Sequence, residues 1–214
     1  MTFEQARKRM VSTQLARRGV LDSRVLEAMG SVPREAFVGA GIAAIAYEDN
    51  PLPIGEGQTI SQPYIVAAMA EAAALELTDH VLDVGAGSGY SAAIFSRLAA
   101  RVFAIERHAN LMEAARGRCQ MLGYDNVTLK TGDGSTGWPE EAPFDAILVA
   151  ASVPEAPDAL RRQLKIGGRL IVPVGDADGQ RLIRITRTGG HSFGEDDLGS
   201  VRFVPLIGAQ GWQE

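Results

Sequence analysis

The residues best placed for chemistry lie in the run Val81-Leu82-Asp83-Val84-Gly85-Ala86-Gly87-Ser88-Gly89-Tyr90. A short apolar stretch passes an acid, turns through glycines at alternate positions and leads into helical sequence. Such a turn lets a ligand approach the backbone and aims a helix N-terminus at it. A dinucleotide fingerprint has Gly or Ala at its sixth position, where this chain has Tyr90. A Walker loop ends in Gly-Lys-Ser/Thr, and this turn has no lysine. Asp83 puts a carboxylate beside the turn, which suits a ligand carrying an ammonium and a sulfonium rather than a pyrophosphate. Two further acids extend the pattern. Glu106 ends the next apolar run, 21 residues after Gly85, where a carboxylate can take both hydroxyls of a ribose. Asp133 follows a third run, in Gly132-Asp133-Gly134. Each acid alone reads as a solvated strand end or a turn residue. Together they mark the C-terminal edge of a parallel sheet, where ligands bind.

The elements that must position these groups fall into two parts. Residues 1–80 read as helix and loop. Phe3, Ala6, Met10 and Val11 have helical spacing, with Gly19 as a stop. Asp22 caps a second helix, Pro33 opens a short one ending near Phe37, and Asn50 to Gly57 reads as a loop. Ser61 reads as the N-cap of a helix running to about Leu75, with Pro63 in its first turn. From Val81 strands and helices alternate. Strands are expected at Val81–Val84, Val102–Ile105, Val127–Leu129, Phe144–Ala150 and Leu170–Val174. Helices are expected at Ser88–Ala99, Leu111–Leu122 and Pro157–Leu164, the last ending at Gly167-Gly168. This alternation argues a parallel sheet covered on both faces. Leu182–Thr186 and Val201–Leu206, joined by a polar Gly-rich loop, read as antiparallel strands closing its edge.

Composition bounds the function. The 214 residues are 46% hydrophobic and 22% charged, as in an ordinary globular chain, and the length suits one domain over 1–214. The net charge of −5 counts against a phosphate-backbone partner. The 18 arginines and 3 lysines, beside abundant Ala and Gly, look like coding bias. Cys119 is the only cysteine, so no intrachain disulfide forms, which fits a reducing compartment. Met1 to Arg9 is charged with no apolar run behind it, and the most apolar stretches fall short of a bilayer span of about 20 residues. The expectation is a cytoplasmic monomer with no membrane or nucleic-acid partner. His80, His108 and His191 share no metal-ligand spacing and are expected at the surface.

The glycine run resembles the first motif of the seven-strand methyltransferases that use S-adenosylmethionine. A more specific resemblance lies upstream, in Leu52-Pro53-Ile54-Gly55-Glu56-Gly57-Gln58-Thr59-Ile60-Ser61-Gln62-Pro63-Tyr64. This stretch resembles the signature region of the protein-L-isoaspartate O-methyltransferases. The likeness continues through Ser31 to Val38, Gly132-Asp133-Gly134 with Gly137-Trp138, Ala142 to Ile147, Gly167 to Gly175 and Val201 to Leu206. It covers nearly the whole chain in register. Two stretches depart from it. Ser135-Thr136 stands where many bacterial members carry bulkier residues, and Ala150-Ala151-Ser152 where Thr-Ala-Ala is common. Neither removes a group the chemistry needs. No Asn/Asp-Pro-Pro-aromatic run follows the fourth strand, against base amino-group methylation, and Cys119 falls within a helix, against a cytosine-C5 nucleophile.

The resemblance implies a Rossmann-like class I methyltransferase with a mostly parallel doubly wound sheet, antiparallel closing strands and a helical N-terminal region. It implies methyl transfer from S-adenosylmethionine to the α-carboxylate of isoaspartyl residues in proteins and peptides. Asp83, Gly85, Ala86, Gly87, Ser88, Gly89, Glu106, Arg107, Asp133, Gly134, Gln58, Thr59 and Ile60 would hold the donor, with Asp133 meeting the adenine amino group. Ser61 would be the active-site serine, orienting the acceptor carboxylate. It is not expected to act as a covalent nucleophile, since no His–Asp pair is placed to activate it. Val204, Pro205 and Leu206 would offer backbone groups to the peptide. Residues 50–61 would form a lid. Two alternatives stay open. Relatives methylate ordinary aspartate in dedicated peptides, against which stands a chain ending at Glu214 soon after the last matched strand. A cofactor-binding module without transfer is the other, against which stands the intact Ser61 stretch.

Overall fold

The computed structural model describes residues 1–213, and Glu214 lies outside the described residues. Its centre is a seven-stranded sheet. The strands are β3 (His80–Val84), β4 (Arg101–Glu106), β5 (Val127–Thr131), β6 (Phe144–Val149), β7 (Leu164–Gly175), β8 (Gln180–Arg187) and β9 (Phe193–Val201). A separate hairpin pairs β1 (Leu52–Gly55) with β2 (Gln58–Ile60). The order across the sheet is β5-β4-β3-β6-β7-β8-β9, parallel as far as β7 and antiparallel beyond it. The chain reverses its direction of travel across the sheet between β3 and β6, the position where open parallel sheets bind ligands. The helices are α1 (Phe3–Met10), α2 (Ser23–Ser31), α3 (Pro63–Ala73), α4 (Tyr90–Ser96), α5 (Ala109–Leu122) and α6 (Asp158–Arg162).

Alternation along the strands separates two apolar layers. Val81, Val102, Ala104, Ala146, Leu148 and Ile171 pack with the N-terminal helices, α3 and α4. Leu82, Phe103, Ile105, Ile147, Leu170 and Val172 pack with Trp138, Phe144 and Leu160. The N-terminal region therefore shares its apolar layer with the sheet. Among the described residues no helix is long and apolar enough to cross a membrane.

Several elements differ from expectation for physical reasons. Residues 52–60 form a hairpin rather than a loop, turning through Glu56 and Gly57, both with positive φ (52° and 69°). The helix expected from Ser61 begins at Pro63 with Gln62 as N-cap, and Gln62 makes no side-chain capping bond. Gly167 and Gly168 lie inside β7 instead of ending a helix. A Cβ on Gly168 would press on the carbonyls of Lys165 and Phe144, so the pair lets two strands close up. The closing strand is β9, which covers most of the polar stretch expected as a loop, while Arg202–Leu206 lies outside every strand. Glu195, Asp196 and Asp197 meet Arg161, Arg184 and Arg181 at 3.2, 3.0 and 2.8 Å. An edge strand held by cross-strand charge pairs carries little apolar signal.

Candidate active site

One cleft of about 1050 Å³, counting its open mouth, runs along the C-terminal ends of β3, β4 and β6. Its floor is the glycine turn. Gly85, Gly87 and Gly89 have φ of 82°, 52° and 88°, which alternates left-handed conformation through the turn. The amides of Gly85 and Ala86 both donate to Ile105 O, at 2.9 and 3.1 Å. Glu106, 5% exposed, accepts from the Gly87 amide through Oε2 and the His108 amide through Oε1, each at 2.9 Å. The carboxylate thus braces the turn and presents its remaining lone pairs to the cleft.

Asp83 is 1% exposed at the end of β3 and lines the same cleft. Its Oδ2 accepts from the Ser91 hydroxyl at 2.6 Å, and its Oδ1 has no partner among the described residues. Burial pushes its carboxyl up to about 7, opposed by the Ser91 hydrogen bond and reinforced by the Glu106 charge. An orphaned, buried carboxylate oxygen facing a cleft is a place for a cationic ligand group. The residues present therefore fit a donor with an ammonium and a ribose.

The other wall comes from distant segments. Gln58, Thr59, Ile60 and Ser61 border the cleft at the end of β2. Ile54 of β1 lies against Gly87, where an added Cβ would sit 3.0 Å from Ile54 Cδ1. The hairpin tip is fastened by Glu56, which accepts from Asn110 Nδ2 at 2.9 Å and lies 4.0 Å from His108 Nδ1. Ser61 is half-buried, and its hydroxyl has no hydrogen-bond partner among the described residues. It is not spent on capping α3. Val204, Pro205, Leu206 and Ile207 complete this wall. Ser152 N donates to Val204 O at 2.8 Å, and Leu206 N donates to Ser152 O at 2.7 Å. Leu206 O is taken by the Trp212 amide, so both backbone groups of Leu206 are occupied. Val204 N–H and Pro205 C=O have no partner among the described residues.

Of the residues expected to hold the donor, Arg107 and Gly134 also line the cleft, whereas Gly89 and Asp133 do not. Gly89 packs against α5, and a Cβ there would come 3.1 Å from Ala115 Cβ. Asp133 accepts from Ser135 N and Oγ through Oδ1 and from Ala209 N through Oδ2, at 2.8, 2.7 and 2.8 Å. Those bonds outweigh burial and hold its carboxyl below the usual range. It ties the C-terminal tail to the end of β5. His108, expected at the surface, is half-buried in the cleft because it lies two residues past Glu106, just beyond the strand end. Ser91, Tyr90 and Ile207 are lining residues that the sequence reading missed. Ser91 carries a usable signal, since it sits in the first turn of the helix that follows Asp83 and the glycine turn.

The family model described as protein-L-isoaspartate(D-aspartate) O-methyltransferase matches residues 5–211. A Brucella anthropi protein named protein-L-isoaspartate O-methyltransferase is 55% identical over 99% of this chain and 98% of its own. One from Methylorubrum populi with the same name is 58% identical over 97% and 98%. A Plasmodium falciparum structure carrying the name protein-L-isoaspartate O-methyltransferase beta-aspartate methyltransferase holds S-adenosyl-L-homocysteine. It superposes with a TM-score of 0.82 at 29% identity, covering 94% of this chain and 98% of that one. A further structure named protein-L-isoaspartate O-methyltransferase gives 0.86 at 31% identity, over 96% and 67%.

Proposed function

The chain belongs to the protein-L-isoaspartate(D-aspartate) O-methyltransferase family, and from that premise we propose how its cleft methylates the α-carboxylate of L-isoaspartyl residues in damaged proteins and peptides. The donor is S-adenosylmethionine, which supplies an electrophilic methyl on a sulfonium: a bond to the carboxylate oxygen forms as the carbon–sulfur bond breaks with its electrons going to sulfur. An acceptor carboxylate is ionised at neutral pH, so no general base is needed. The work of the protein is alignment, which can supply about 7–11 kcal/mol of the barrier.

The roles follow from the free groups. Asp83 Oδ1 would receive the ammonium of the donor, and Glu106 its ribose hydroxyls. Gly85, Ala86, Gly87 and Ser88 would form the bed under it, with Arg107, Gly134, Gln58, Thr59 and Ile60 around it. Gly89 supports that bed through helix packing. Asp133 acts by holding the β5 end and the tail. Ser61 would donate its hydroxyl proton to the acceptor carboxylate and hold one oxygen toward the methyl. Val204 N–H and Pro205 C=O would pair with the substrate backbone in an extended arrangement. Main-chain pairing accepts many flanking sequences, as substrates damaged at scattered positions require. The hairpin over Gly87 would exclude water and strengthen these contacts. The ester product cyclises to a succinimide without further catalysis and hydrolyses partly to aspartate. The same reading takes the chain as one methyltransferase domain acting as a cytoplasmic monomer, the reducing compartment supported by its single, buried Cys119.

The observation that carries this reading is the unspent Ser61 hydroxyl at the cleft, in a chain matched to the family over residues 5–211. The test is transfer of labelled methyl to two peptides that differ only in isoaspartate against aspartate. Label in the isoaspartyl peptide alone, lost at mildly alkaline pH, is the expected result. Label in the aspartyl peptide alone would establish the dedicated-peptide alternative, and label in neither would overturn the reading.

A further inference from the structure

Ser61 carries no bond of its own that fixes it, so its orientation must come from its neighbours. On one side Ile60 is held in the hairpin opposite Leu52. On the other side Gln62 and Tyr64 are held by a single residue, Asp49, from a turn that precedes β1. Gln62 Nε2 donates to Asp49 O at 2.9 Å and to Asp49 Oδ2 at 2.7 Å. The Tyr64 amide donates to Asp49 Oδ1 at 3.3 Å. Arg18 pairs with Asp49 Oδ2 and stacks its guanidinium 3.7 Å from the Tyr64 ring centroid. The turn itself is anchored, because Arg34 Nε donates to Ala46 O at 2.7 Å and Gln14 Nε2 to Tyr47 O at 3.0 Å.

Asp49 thus does from outside what an N-cap side chain does from within. It satisfies a first-turn amide of α3 and sets a negative charge at the helix N-terminus. Gln62, in the N-cap position, spends its own amide on Asp49 instead. We propose that Asp49 is a positioning residue for methyl transfer, aiming Ser61 at the acceptor by locking the residues that follow it. This rests on the role given to Ser61 above. A misplacement of about 1 Å in an aligned displacement can cost about 100-fold in rate.

Asp49→Ala should lower kcat for the isoaspartyl peptide by about 10- to 100-fold, leaving affinity for S-adenosylhomocysteine within about two-fold, because no donor-side group of the cleft touches Asp49. Asp49→Asn keeps an acceptor for the Tyr64 amide and can pair with Gln62 after its amide turns over, so it should recover about ten-fold of that loss. The deciding measurement is a double-mutant cycle with Ser61→Ala. If Asp49 acts through Ser61, Asp49→Ala adds nothing once Ser61→Ala is present. Losses that multiply, a parallel fall in donor affinity, or an Asn variant as poor as Ala would each overturn the proposal. Amide hydrogen exchange gives a readout independent of activity. Tyr64 and the first turn of α3 should lose protection in Asp49→Ala, and unchanged protection would overturn the proposal even if turnover falls. Full activity of Ser61→Ala alone would instead defeat the role of Ser61.

Discussion

The two walls of the cleft are built on different principles. The donor wall is local: Asp83, the glycine turn and Glu106 lie within 24 residues, on two adjacent parallel strands. Its polar groups are mostly spent on one another, with Glu106 bracing two backbone amides and Ser91 holding Asp83. Asp83 Oδ1 is left with no partner among the described residues, and Glu106 keeps lone pairs toward the cleft. The acceptor wall is assembled from residues 46–50, 61–64 and 202–207, which meet only in the folded chain, and the hairpin at 52–60 joins it to the donor side. There the free groups are a hydroxyl and two backbone groups, held by neighbours rather than by strands. A rigid, preformed wall suits a ligand that never varies. A wall offering main-chain groups suits a peptide whose side chains do.

The largest effect expected on the donor wall is that of Asp83→Asn. Removing one partner of a buried charge pair should weaken donor affinity at least about 30-fold, read by titration calorimetry. Yet the ligand-free variant should be the more stable protein at neutral pH. Burial raises the Asp83 carboxyl from 3.8 to about 7, so the folded state holds its proton more tightly than the unfolded one. Stability from this group is present below about pH 4 and is lost as pH rises through about 7. The melting temperature of Asp83→Asn should therefore match wild type at low pH and exceed it above neutrality. A lower melting temperature at pH 8 would contradict the burial argument.

Next comes the pH dependence of binding. A cationic donor selects ionised Asp83, so affinity should tighten about ten-fold from pH 6 to pH 8 in wild type and stay flat in Asp83→Asn. The smallest effect belongs to the other wall. A Cβ on Gly208 would collide with Asp133 Oδ1 and Ser135 Oγ, displacing the tail that carries Pro205 and Leu206. Gly208→Ala should raise KM for the peptide about three- to ten-fold while donor affinity stays close to wild type. Equal losses on both sides would break the separation of the walls.

This division also explains what was legible in the sequence. The donor wall was readable because alternate glycines after an acid, and a second acid at the next strand end, are local patterns with few other uses. Asp133 shows the limit, since spacing put it at the right sheet edge but could not show its oxygens taken by Ser135 and Ala209. The acceptor wall was reached through resemblance rather than through pattern. Proline and glycine density hid the hairpin at 52–60, whose turn runs through Glu56 and Gly57. Ser61 looked like a helix cap because Ser before Pro in a first turn is the usual sign, and the capping work of Asp49 comes from outside the helix. β9 was hidden by charge, its partners being arginines across the strand.

The most direct test of the account is Ser61→Ala, measured for turnover on the isoaspartyl peptide and for S-adenosylhomocysteine affinity in the same preparation. Loss of a hydrogen bond to a charged acceptor predicts a fall in kcat of about 10- to 100-fold, with product affinity unchanged. Unchanged turnover, or turnover and affinity falling together, would contradict a free serine hydroxyl that orients the acceptor and leaves the donor wall alone.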